Sequence, residues 1–340
     1  MLQGHGDDAY RFNHPVVADF STNVYYGGTP SGLKERLFAG WEKVQRYPEV
    51  LAESLTIKIA DYHQLPTASV LVTNGSTESI YLIAQANKNK HSAIVVPAFA
   101  EYEDACRMHD HQLQFIAWEE LKEGFITEAD LLFVCNPNNP TGAVISNFEH
   151  FVSVNDNTLF VVDEAFIEFT SAINSVLELT TKYDNLLVLR SMTKAYAIPG
   201  LRLGYIAGHP DLIGRISNFK LPWTVNVMAL EAGHFIFDHM DTVQVPLSRL
   251  LSDRGIFATA LSALSFHVYE SQTHFFLVET PIFNAAKLKA DLLHNNHLLI
   301  RDAGNFRGLT ERHFRVATLT PAKNTLLINA LTAWKHTSSL

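Results

Sequence analysis

Five short stretches of this 340-residue chain carry side chains that could do chemistry together. They are Asn74-Gly75-Ser76-Thr77, Pro97-Ala98-Phe99, Asn136-Pro137-Asn138-Asn139-Pro140-Thr141-Gly142, Asp163-Glu164-Ala165-Phe166 and Arg190-Ser191-Met192-Thr193-Lys194. Between them they offer phosphate-type donors, an aromatic ring, an amide, an acid and a lysine. A lysine amine attacks a carbonyl only when partly neutral, which burial beside other cations achieves. Hydroxyls and backbone N–H groups at a helix start suit an anion. Each stretch alone has a plainer reading. Ser76-Thr77 serves equally as a helix cap and Asp163 as an N-cap, Phe99 as core, and the proline-rich turn as a rigid loop. Their joint occurrence is what argues for a site.

Each stretch follows an apolar run of strand length: Val70-Leu71-Val72, Ala93-Ile94-Val95-Val96, Leu131-Leu132-Phe133-Val134, Leu159-Phe160-Val161-Val162 and Leu186-Leu187-Val188-Leu189. Runs apolar at consecutive positions belong to strands covered on both faces, as in a mostly parallel sheet between helices. In open α/β sheets ligands bind beyond the carboxyl ends of the strands. Helical patterns alternate with the runs, one beginning near Thr77. After about residue 240 the texture changes: a long amphipathic stretch, a strand at His274–Val278, a helix, strand-like Leu298-Leu299-Ile300 and Phe314–Ala317, and a last helix. This predicts a large α/β domain over 30–240 and a smaller α+β domain made of 241–340 with the N-terminal segment 1–29.

Composition agrees. Hydrophobic residues make up 47% and charged residues 18% of the chain, ordinary for a globular protein. A net charge of −9 gives no basic footprint for nucleic acid or anionic membrane. No apolar run approaches a membrane span and no secretory signal opens the chain, so a cytoplasmic protein is expected. Its 2 cysteines, Cys106 and Cys135, build no disulfide framework. No G-x-G-x-x-G follows a strand and no P-loop is present, against a dinucleotide or nucleotide enzyme. His109 and His111 lack partners at zinc-site spacing, so no metal is expected.

The motifs CNPNNPTG (135–142), VVDEAF (161–166) and SMTKAYAIPGLRLGY (191–205) occur in that order, the last with Arg202 eight residues after Lys194. On these the chain resembles the class I/II aminotransferase family of fold-type I pyridoxal 5′-phosphate (PLP) enzymes, over nearly its whole length. The resemblance implies that Lys194 binds the cofactor covalently and Asp163 keeps its ring nitrogen protonated, making these two the catalytic pair. It implies further that Ser76, Thr77, Ser191, Thr193 and Arg202 cradle the phosphate. Asn139 would bond the ring oxygen, Phe99 stack on the ring, and Ala165 leave it room. Phe166 stands where many relatives carry Tyr. Tyr47, in Arg46-Tyr47-Pro48, matches a position that reaches the cofactor phosphate of a neighbouring subunit, hence an expected homodimer with shared sites; a plain turn tyrosine is the alternative. On the substrate side the resemblance assigns His5, Asn23, Arg301 and Arg315.

Two subgroups compete. Histidinol-phosphate aminotransferases share the core motifs and Arg-Tyr-Pro. Threonine-phosphate decarboxylases of cobalamin synthesis also resemble this chain in His5-Gly6, Asp19-Phe20-Ser21-Thr22-Asn23, the DEAF form, Pro222-Trp223-Thr224-Val225-Asn226 and IRDAGNFRGLTERHFRVA (300–317). The chain departs from them at Asp7-Asp8 and at His274, where Asn is common. The reading leans to a decarboxylase-like enzyme acting on a small phosphorylated amino acid or amine, with a transaminase as the alternative. A non-catalytic binding protein on the same fold is opposed by intact Lys194, Asp163 and Arg202.

Overall fold

The computed structural model describes residues 8–12, 15–282 and 284–338. In chain order the strands are β1 (Ala18–Asp19), β2 (Val70–Thr73), β3 (His91–Val96), β4 (Gln112–Ala117), β5 (Leu131–Cys135), β6 (Leu159–Asp163), β7 (Leu186–Ser191) and β8 (Gly204–Gly208). β9 (His267–Val268), β10 (Phe275–Glu279), β11 (Leu298–Leu299), β12 (Arg301–Asp302) and β13 (His313–Ala317) follow.

The five apolar runs all lie in one seven-stranded sheet of order β2-β8-β7-β6-β5-β3-β4. β3 to β7 are mutually parallel, and β8 runs antiparallel to both its neighbours. β5 and β6 are buried at every position, which is why their sequences are apolar without alternation. Two strands of this sheet had no such signature. β4 lies at the edge and alternates in burial, with Gln112 and Gln114 outward. β8 begins and ends in glycine. A Cβ on Gly204 would sit 2.7 Å from the Arg190 carbonyl and 2.8 Å from the Ser76 amide, so only glycine lets the helix start cross the strand.

The second sheet is antiparallel, of order β12-β13-β10-β9, beside the helices Leu247–Ala263, Ala285–Asn296 and Pro321–Ser338. The run expected as a strand over Leu298–Ile300 is shortened to β11, which pairs parallel with β1, and a separate strand β12 follows it and pairs with β13. The N-terminal segment is thereby stitched to the C-terminal part of the chain. Phe20 anchors it, fully buried against Phe257 at 6.0 Å between ring centroids; burying such a ring contributes about 1.5–3 kcal/mol. Apolar side chains gather into two main cores, one under the seven-stranded sheet and one holding Ala18 and Phe20 together with residues 257–334. Both cysteines are buried and free. Among the described residues no helix is long and apolar enough to cross a membrane.

Candidate active site

Parallel strands bring their carboxyl ends to one edge, and there the chain leaves a cavity of about 260 Å³. It lies between the two sheets, with Ser21–Val24, Arg301, Asn305, Phe306 and Arg315 on the side of the small sheet. A larger cavity of about 610 Å³ lies across β7, reached by Arg190 and not by Ser191, because neighbouring strand residues face opposite ways. No residue expected at the site lines that second cavity.

One end of the smaller cavity is built for an anion. β2 ends at Thr73, and the chain turns through Gly75 (φ +77) into the helix Gly75–Ala86. The N-cap position is held by Asn74, which makes no side-chain capping bond, so capping does not account for Ser76 and Thr77. Both line the cavity, facing Ser191 and Thr193, whose hydroxyl oxygens lie 2.9 Å apart. Arg202, itself left-handed at φ +60, donates to the Pro199 carbonyl at 3.0 Å. A Cβ on Gly75 would lie 2.4 Å from Arg202 Nη2, so glycine admits the guanidinium to the helix start. Burial lowers the Arg202 pKa, and among the described residues it makes no ion pair. An anion beside it would restore its preference for charge.

The other end holds an acid. Asp163 closes β6 and is buried. Its Oδ2 accepts from the Tyr102 hydroxyl at 2.7 Å and its Oδ1 from the Ala165 N–H at 2.9 Å. No α-helix starts here, so Asp163 is not an α-helix N-cap. Burial pushes its carboxyl up; the Tyr102 hydroxyl, the Ala165 amide and the charge of Lys194 pull it back. Lys194 lies on the turn after β7, half-buried, with its carbonyl accepting from Tyr25 N–H at 3.0 Å. Phe99 and Ala165 complete this wall. Phe166 also lines it and packs edge-on against Phe275.

The substrate side is set by strand register. β12 and β13 place Arg301 directly opposite Arg315, and the two are 7% and 5% exposed. Like charges facing each other across strands repel; Asp302 and Asp8 offset part of this for Arg301 and Asp19 for Arg315, and an anion in the cavity would offset more. Arg315 donates to the Ser21 carbonyl at 2.6 Å and, through Nη1, to Asn139 Oδ1. That bond leaves the Asn139 NH₂ to donate to an occupant. Arg301 donates to the Asp302 carbonyl at 2.6 Å and to Asn305 Oδ1 at 2.8 Å. Asn23 is buried at the cavity wall, its amide without a hydrogen-bond partner among the described residues. His274 lies outside the cavity, fully buried on Phe169, and burial pulls its imidazole down to about 3.

Thirteen of the expected site residues thus line one cavity: the ten of the cofactor set other than Tyr47, and Asn23, Arg301 and Arg315. Tyr47 does not. It is 84% exposed and packs on Trp223 at the surface. His5 lies outside the described residues. Tyr102 was not anticipated; its position three residues after Phe99, one helical turn on, was the available signal. Asn305 and Phe306 sit in a motif of which only Arg301 and Arg315 stood out. No group of side chains suited to a metal occurs among the described residues.

This donor set fits PLP. Hydroxyls, a helix start and Arg202 suit its phosphate, Asp163 its ring nitrogen, and Lys194 its aldehyde. The pattern of the family described as aminotransferase class I and II matches residues 15–331. The threonine-phosphate decarboxylase of Salmonella typhimurium is 32% identical over 332 residues, covering 93% of this chain and 90% of that protein. A histidinol-phosphate aminotransferase of Sinorhizobium fredii is 33% identical over 278 residues, 78% of this chain and 74% of its own. The crystal structure of L-threonine-O-3-phosphate decarboxylase from Porphyromonas gingivalis superposes with a TM-score of 0.91 at 37% identity, covering 94% of this chain and all of that one. With the cavity's lysine, acid and anion cradle beside these matches, the chain belongs to the aminotransferase class I and II family of PLP-dependent enzymes.

Proposed function

We propose that this enzyme decarboxylates threonine phosphate, a step of cobalamin biosynthesis in its relatives. The observation that carries the reading is the facing, buried pair Arg301 and Arg315. An amino acid bearing a phosphate offers one anion to each, whereas histidinol phosphate has no carboxylate.

When bound, PLP supplies an electron sink for the pair released as a bond to the amine-bearing carbon breaks. Lys194 would hold the cofactor, and its amine would move a proton at that carbon. Asp163, which accepts from the Tyr102 hydroxyl, would keep the ring nitrogen protonated. Asn139 would donate to the ring oxygen, Phe99 would pack on the ring, and Ala165 would give it room. Ser76, Thr77, Ser191, Thr193 and Arg202 would hold the phosphate. Arg315 would grip the carboxylate in two-point fashion beside Asn23, and Arg301 would take the distal phosphate; we keep His5 as a further proposed substrate contact. Which bond aligns with the ring's π system follows from how the two arginines orient the substrate.

We divide the enzyme into 30–240 and 1–29 with 241–340, which follows the two cores except that Leu250, Phe275 and Ala317 join the larger one. We place the enzyme in the cytoplasm as a homodimer. Its contact face would include Tyr47 and Trp223, with exposed Phe38, Trp41 and Leu221 nearby in sequence, so that Tyr47 serves the neighbouring site.

Incubation with threonine phosphate should release carbon dioxide and leave aminopropanol phosphate. Two arginines would also suit a dicarboxylate such as glutamate, so the companion assay uses histidinol phosphate with 2-oxoglutarate. Glutamate formed there, with no carbon dioxide from threonine phosphate, would make the protein a transaminase.

Gly75→Ala tests the cradle. A left-handed alanine carries about 1–2 kcal/mol of strain, and its methyl would displace Arg202. Cofactor binding should weaken about 10-fold or more, read by absorbance titration of the apoenzyme. Unchanged affinity would remove this glycine and Arg202 from the cradle.

A further inference from the structure

The loop between β12 and β13 walls the distal end of the cavity. Asn305 and Phe306 line the cavity, Asn305 accepts from Arg301, and the Arg301 guanidinium lies 5.2 Å from the Phe306 ring centroid. Phe306 also packs in a small apolar cluster with Leu277 and Ala303. On its outer side the same loop faces a cleft of about 360 Å³ lined by Ile94, Val96, Phe115 and Glu103 of the large domain. The loop has turns but no regular structure and is bracketed by Gly304 and Gly308, the latter at φ +87. A segment of this kind has little rigidity of its own, so its position depends on what it grips.

Arg307 crosses the cleft. Its Nε reaches Glu103 Oε2 at 3.1 Å, and its Nη2 reaches Oε1 at 2.8 Å and Oε2 at 3.0 Å. The guanidinium also lies flat enough over Phe115 to bring its carbon within 3.9 Å of the ring centroid. Glu103 follows Tyr102 on the helix Glu101–Met108 and is held from behind by Arg107 at 2.8 Å. Burial would raise the Glu103 carboxyl, but the bonds from Arg307 and Arg107 outweigh it and hold it low. The side chains are 46% and 23% exposed, so water screens the pair and its energy is modest. Its geometry is not modest. A planar fork on a carboxylate, stacked on a ring, allows one orientation.

We propose that Arg307 is a positioning residue for the distal end of the substrate: by gripping Glu103 across the domain boundary it fixes the loop that places Asn305, Phe306 and Arg301. The inference rests on the reading of Arg301 as the group that meets the distal phosphate.

The test compares Arg307→Gln, Glu103→Gln and the double variant as holoenzymes. Each single change should raise KM for threonine phosphate about 5- to 10-fold, with kcat and cofactor absorbance near the wild-type values. The double variant should be no worse than either single one, because the two residues act as one unit. Amide hydrogen exchange over 303–309, measured without substrate, should rise in all three. Additive losses in KM would overturn the proposal. So would a lower melting temperature with KM unchanged, which marks a bridge that is structural only. Exchange separates this idea from the substrate reading. Unchanged exchange defeats the clamp whatever the enzyme acts on, whereas faster exchange in a protein inert toward threonine phosphate upholds the clamp and defeats the substrate.

Discussion

Lys194→Ala should leave a folded protein that binds PLP without a covalent link and has lost about 10⁴-fold of its kcat, the upper end of what one positioned proton-transfer group supplies. Folding should survive because Lys194 is half-buried on a turn and belongs to neither main core. The loss should be large because this amine lines the cavity. Its charge also lowers the pKa of Asp163, which lines the same cavity. Borohydride should fix cofactor to wild-type protein and not to the variant, read by mass spectrometry. Lys194→Arg separates the two contributions: it keeps a cation beside Asp163 but cannot condense with an aldehyde, so it should be as inactive as the alanine variant. Added methylamine should restore part of the alanine variant's rate and none of the arginine variant's, whose guanidinium blocks the space. A Lys194→Ala protein with a tenth or more of wild-type kcat would defeat the assignment.

The central strands were legible because burial on both faces leaves a continuous apolar run, and the cavity residues at the ends of β2, β3, β5, β6 and β7 were legible because they come after those runs. β4 escaped notice since an edge strand alternates, and β8 since its glycines answer to the Ser76 amide and Arg190 carbonyl rather than to any strand preference. The change of sheet between β11 and β12 was hidden for a different reason. Only the docking of the N-terminal strand gives Leu298 and Leu299 a partner other than β13. Arg301 and Arg315 were each visible as candidates, but not their confrontation, because register across a ten-residue loop cannot be counted from spacing. Tyr102 and Arg307 carried no signal of their own, because it is the helix that begins at Glu101 that brings the Tyr102 hydroxyl to Asp163 and the Glu103 carboxylate to Arg307.

Asp163→Asn and Tyr102→Phe should show that these two side chains are one device. The asparagine removes the only negative charge lining the cavity among the described residues, where Lys194, Arg202, Arg301 and Arg315 supply four cations. With no carboxylate to hold a proton on the ring nitrogen, kcat should fall about 10²- to 10³-fold, as for other preorganised electrostatic groups. Tyr102→Phe keeps the ring stacked on Phe133 and deletes one bond to a charged acceptor; about 10-fold in kcat is expected. The direction of the pH effect follows from the forces on Asp163. Burial raises its carboxyl and the Tyr102 hydroxyl is the largest influence lowering it, so removing the hydroxyl lets the pKa climb further. Because the ionised form is the active one, the acid limb of kcat/KM in Tyr102→Phe should move to higher pH, never lower. In an Asp163→Asn background the tyrosine change should add almost nothing, since its target charge is already gone. Independent, multiplying losses would mean that Tyr102 acts elsewhere, and an acid limb that stayed in place would mean that Asp163 is not the group whose ionisation it reports.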